Sequence, residues 1–69
     1  MKDAKPERLV RALKQEGFTE AGGTKHLKMT KGDITLTVPL HYIIKRNTVD
    51  KIRKQAGIDK KVFYSYNLG

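Results

Sequence analysis

His26-Leu27-Lys28-Met29-Thr30-Lys31-Gly32-Asp33-Ile34-Thr35-Leu36-Thr37-Val38-Pro39 alternates apolar with polar residues on both sides of Lys31-Gly32. A period of two is the spacing of a strand with one buried face, and Lys31-Gly32 offers a turn, so the stretch predicts two antiparallel strands. Leu27, Met29, Ile34, Leu36 and Val38 share one face of this hairpin, and His26, Lys28, Thr30, Thr35 and Thr37 share the other. Pro39 has no N–H to donate to a ladder, so it ends the second strand or sits at a sheet edge.

Moving outward, the apolar period becomes 3.6 on both flanks. Upstream, Pro6 suits the first turn of a helix, and Leu9, Val10 and Leu13 follow at helical spacing, predicting a helix from Pro6 to Glu16. Gly17 then fits a left-handed helix ending, with Phe18 folding back on the last turn. Downstream, Val49, Ile52 and Ala56 define a helix from Thr48 to Ala56, with Asn47 as N-cap, Asp50 three residues on, and Gly57-Ile58 repeating the same ending. Phe18 to Ala21 add a short strand before the Gly22-Gly23 break, and Asp59 caps a short turn through Val62 and Phe63. Residues 39–47 form the longest connection. Because the helices supply the only other apolar surface, both must cover the same face of the sheet. The expected architecture is α+β, in the order α-β-β-β-α, with a three-stranded antiparallel sheet in a single domain spanning residues 1–69.

Fifteen Lys and Arg against seven Asp and Glu give a formal charge of +8, spread along all 69 residues. Such a field captures polyanions, so nucleic acid is the first partner to consider and an acidic protein the second. The absence of cysteine removes disulfides and thiolate zinc sites, and no structural metal or cofactor is expected. No apolar run approaches the ~20 residues needed to span a bilayer, and no secretory signal opens the chain, which therefore reads as soluble and cytoplasmic.

His26 and His41 are the only histidines. The hairpin register turns His26 outward beside Lys28, where it is not a core histidine. Cleaving RNA without a metal needs a base for the ribose 2′-hydroxyl, positive charge at the phosphate and an acid for the leaving oxygen. Histidine, with a reference pKa of about 6.5, suits either proton-transfer role. Lys25 and Lys28 are placed to stabilise phosphate charge, and Gly22 and Gly23 allow a phosphate to approach backbone N–H groups. On residue types alone, an exposed histidine among lysines is more often only that. His41 and Tyr42 lie in the long connection, where Tyr42 suits stacking on an unpaired base and His41 a second proton transfer. The alternative is a loop packed over the sheet edge. Tyr64 and Tyr66 either stack on bases or cover an edge of the core. No Ser/His/Asp set, Walker loop or metal-spaced cluster occurs.

Gly23-Thr24-Lys25-His26-Leu27-Lys28 opening the second strand, Thr37-Val38-Pro39 closing the third, and the helix end Ile52-Arg53-Lys54-Gln55-Ala56-Gly57-Ile58 together resemble the HicA toxin family, also called YcfA-like. Glu16-Gly17-Phe18 and the turn from Asp59 to Phe63 fit the same pattern, which spans about residues 6 to 63. The resemblance implies a double-stranded-RNA-binding-domain-like fold and the toxin half of a type II toxin–antitoxin pair, acting as an mRNA interferase with a single essential histidine. That histidine corresponds to His26, with Gly23 and Thr24 in the same segment. The implied partners are mRNA and a HicB-like antitoxin. Lys25 falls at a variable position of the family segment, so its role rests on chemistry alone. Two other readings stand beside this one: a noncatalytic RNA-binding module of the same fold, and a small basic adaptor for an acidic protein.

Overall fold

In the computed structural model, which describes residues 2–69, the elements follow as α1 (Pro6–Gln15), β1 (Thr19–Gly22), β2 (His26–Lys31), β3 (Ile34–Pro39), α2 (Arg46–Ala56) and α3 (Lys60–Tyr64). The strands form one antiparallel sheet in the order β1-β2-β3. The fold is therefore α+β with the expected α-β-β-β-α order, followed by the short α3.

Alternation along the hairpin holds. Leu27, Met29, Leu36 and Val38 are buried together with Leu9 and Leu13 of α1 and Val49, Ile52 and Ala56 of α2 in one core. His26, Lys28, Thr35 and Thr37 are exposed, Thr30 is half-buried, and Ile34 packs at the margin of the core. Burying an aliphatic side chain stabilises by roughly 1.5–3 kcal/mol, so turning those four strand residues outward forfeits ~6–12 kcal/mol. That is comparable with the whole stability of a typical domain, about 5–15 kcal/mol. The core thus secures the side of the sheet from which His26 projects.

The turn lies one residue further on than the sequence suggested. Lys31 pairs with Ile34, so the connecting residues are Gly32 and Asp33, with Gly32 at φ 57°. Hydrogen-bonded pairing through Lys31 extends β2 by a residue and sets His26 opposite Pro39. β1 starts at Thr19 and carries a bulge between Glu20 and Gly22, after which Gly22 faces Lys28. Glu20 pairs with Met29, placing it on the helix side, where it meets Lys14 of α1 in an ion pair.

Both helix endings form as expected. Phe18 N–H donates to Leu13 carbonyl at 2.9 Å and Gly17 N–H to Lys14 carbonyl at 3.0 Å, while Gly17 sits at φ 101°. Ile58 N–H to Arg53 carbonyl (3.2 Å) and Gly57 N–H to Lys54 carbonyl (3.1 Å) repeat the arrangement. The start of α2 differs. Asn47 is not its N-cap: the helix begins at Arg46 after Lys45, without a side-chain cap from that neighbour. Instead Asp3 Oδ1 accepts a hydrogen bond from Arg46 N–H at 2.8 Å. Ala4 and Ile44 exchange two backbone hydrogen bonds of 2.9 Å, bringing Asp3 to the helix end and making the local Asn47 cap unnecessary. Asp50 turns along its own helix to Arg53 and Lys54. Asp59 does precede α3, yet its side chain makes no capping bond.

Candidate active site

His26 is the first residue of β2 and lies beyond the last pair with β1, so only Pro39 of β3 stands opposite it. The chain reaches it through the bend at Thr24 and Lys25, both exposed. Gly23, at φ 112°, sits so close to the start of β2 that a Cβ there would lie 2.2 Å from the His26 carbonyl oxygen. Its lack of a side chain is thus needed to bring the strand in at this angle. Gly22, at φ 119°, has open space where a Cβ would go. Two residues along β2, Lys28 presents its side chain on the same face as His26, opposite Thr37.

The connection after β3 folds back onto this point. Lys25 carbonyl accepts a hydrogen bond from Leu40 N–H at 2.8 Å, continuing the ladder one step beyond Pro39. The same carbonyl lies 3.3 Å from His41 Nδ1. The His26 and His41 rings then meet edge-on, with centroids 5.2 Å apart and planes at 76°. Tyr42 stacks its edge against His41 at 4.4 Å and is half exposed, at 53%. The loop returns to the end of the β2–β3 ladder, bringing His41 against His26 and Tyr42 against His41.

Of the residues singled out from sequence, Gly23, Thr24, Lys25, His26, Lys28 and His41 thus gather at one end of the β2–β3 ladder. The C-terminal tyrosines do not share in it. Tyr66 donates its hydroxyl hydrogen to Glu16 at the end of α1, and this bond raises its pKa above the ordinary 10.0. Among the described residues, the other displaced titration belongs to Asp50, held below its ordinary 3.8 chiefly by the hydrogen bond from Arg53 Nε at 3.0 Å, with Lys54 adding to it. Clefts of about 660 Å³ and 360 Å³ are lined by the C-terminal segment and include none of the residues around His26. Around His26, the side chains of Lys28, Thr35 and Thr37 are exposed on the sheet face opposite the core.

The proximity of His41 to His26 was missed in the sequence. The available signal was the hairpin register: once His26 faces Pro39, a residue two positions beyond Pro39 begins its loop beside His26. No helix among the described residues is long and apolar enough to cross a membrane. No curated protein matches the chain. The family model described as the HicA toxin of bacterial toxin–antitoxin systems matches residues 6–58, from the first turn of α1 through the residue that closes α2. With that match running through every helix and strand that frames His26, the chain belongs to the HicA toxin family.

Proposed function

We propose that the protein is an mRNA interferase, a cytoplasmic endoribonuclease toxin that cleaves RNA without a metal and uses His26 as general base or acid. Membership in the HicA toxin family makes a toxin with a cognate antitoxin the starting point. The observation that carries the nuclease reading is the position of His26: exposed, on a sheet face whose register the core fixes, with Lys28 beside it and Lys25 before it. The +8 charge concentrates RNA at the surface. Lys25 and Lys28 balance charge gathering on the phosphate, Gly23 and Thr24 shape the approach, and His41 contacts the RNA beside the scissile bond. Tyr42, half exposed at the rim, offers a ring on which an unpaired base stacks. A HicB-like antitoxin would act by covering this open face.

The test is to incubate wild type and His26→Ala with RNA in EDTA while following cleavage and binding separately. Cleavage by wild type, with loss in the variant and retained affinity, supports the reading. Binding without cleavage by either protein indicates a noncatalytic RNA-binding module, and undiminished cleavage by His26→Ala removes His26 from the chemistry.

A further inference from the structure

We infer that His41 is the second proton-transfer group, acting as the general acid to the His26 base; this rests on the reading of the protein as an RNA-cleaving toxin. In phosphoryl transfer the entering and departing oxygens lie on opposite sides of phosphorus, roughly in line. One imidazole cannot serve both at once. Two rings with centroids 5.2 Å apart, one on the first residue of β2 and one on the loop that follows β3, can flank a single phosphate.

The environment of His41 sets which of its atoms works. A carbonyl oxygen only accepts hydrogen bonds, so the contact between Nδ1 and Lys25 carbonyl at 3.3 Å places a hydrogen on Nδ1. Nε2 is left as the atom that exchanges a proton. The His26 ring has no hydrogen bond from the protein among the described residues, so its nitrogens are open to substrate. The lysines are poorer candidates for the acid, because a reference pKa of about 10.4 for that residue type is far from neutral, against about 6.5 for histidine.

The step balances without a further reagent. His26 takes the proton of the 2′-hydroxyl as O2′ bonds to phosphorus. The P–O5′ bond breaks with its electron pair going to O5′, which receives a proton from His41 Nε2. The products are a 2′,3′-cyclic phosphate and a 5′-hydroxyl, and the two rings reset by exchange with solvent.

His41→Asn is the informative variant, because its amide can still donate to the Lys25 carbonyl while nothing replaces Nε2. Cleavage rates are measured over pH 5–9 in EDTA on ordinary RNA and on RNA carrying a sulfur in place of O5′ at the scissile bond, whose thiolate leaves without a proton. The variant should still bind RNA, weakened by no more than the one contact its ring makes, lose ~10²- to 10⁴-fold in rate on ordinary RNA, lose the alkaline limb of the pH profile, and recover on the sulfur-bridged substrate. His26→Ala should stay slow on both. Equal loss on the two substrates, or no loss on ordinary RNA, would overturn the assignment of His41 while leaving the nuclease reading intact. A wild type unable to cleave RNA would overturn both.

Discussion

The carboxylate of Asp3 holds the backbone N–H of Arg46 at 2.8 Å, so the first turn of α2 is capped by a residue 43 positions away in sequence. Loss of an N-cap side chain typically costs about 0.5–2 kcal/mol. Asp3→Ala should therefore lower the melting temperature by several degrees, since ~1 kcal/mol shifts a domain of this size by roughly 4–8 °C. Asn47→Ala should shift it far less, as Asn47 lies inside the helix. Thermal melts followed by circular dichroism compare the two directly, and a larger loss in the Asn47 variant would return the cap to its local position.

Gly22 and Gly23 both adopt positive φ, and only at Gly23 would a Cβ meet backbone, 2.2 Å from the His26 carbonyl oxygen. Alanine at either site incurs the left-handed cost of about 1–2 kcal/mol. Gly23→Ala must in addition push β2 aside at His26. It should be clearly less stable than Gly22→Ala in urea unfolding and should show displaced His26 resonances in NMR spectra, whereas Gly22→Ala leaves them in place.

Asp50 ties the middle of α2 to Arg53 and Lys54, and its carboxyl is held below 3.8 in the folded chain. A depressed folded-state pKa contributes stability above the unfolded value that is lost as pH falls through the folded one. The melting temperature of the wild type should thus exceed that of Asp50→Asn at pH 6, with the gap closing below about pH 4. A gap independent of pH between 2 and 6 would show that the carboxylate charge is not what stabilises the helix.

The sign reverses for Tyr66, whose pKa is raised above 10.0 by its bond to Glu16. Its contribution is complete below the unfolded value and disappears as pH climbs through the folded one. Tyr66→Phe should melt earlier than wild type at pH 7 to 9 and converge with it above about pH 10. Melts across that range provide the check.

Lys28 projects from the same face as His26, so its ammonium should meet a phosphate of bound RNA. Each phosphate contact contributes ~0.7 to the slope of log affinity against log salt for a single strand. Lys28→Ala should flatten the slope by about that amount and weaken binding without regard to sequence. An unchanged slope would place the RNA elsewhere on the surface.

Much of the fold was legible because it rests on short-range rules. Period-two alternation from His26 to Val38 assigned both sheet faces, and Gly17-Phe18 and Gly57-Ile58 marked where each helix ends. The helix start at Arg46 was not legible, since the acceptor that caps it is the Asp3 carboxylate, whose position depends on the pairing of Ala4 with Ile44. Asn47 satisfied the local rule, and a tertiary contact prevailed. The turn shows how a small offset matters for the candidate site. A connection at Lys31-Gly32 shifts the pairing by two residues relative to one at Gly32-Asp33, so every side chain keeps its face while His26 changes its partner. Only the second register puts Pro39 opposite His26 and His41 next to it. His26 could be placed on the open face by alternation, whereas its neighbour across the ladder required the turn to be right.

The bridge between Ala4 and Ile44 ties the loop beside His26 to a distant part of the chain. The loop carrying His41 and Tyr42 is braced at Ile44 by Ala4, which lies ahead of α1, and the adjoining Lys5 N–H is itself bound to Leu68 carbonyl at 2.7 Å. The brace therefore runs from that loop through Ala4 and Lys5 to Leu68, beyond α3. Slack introduced at Leu68 is thus passed, through Lys5 and Ala4, to the loop that holds His41 against His26.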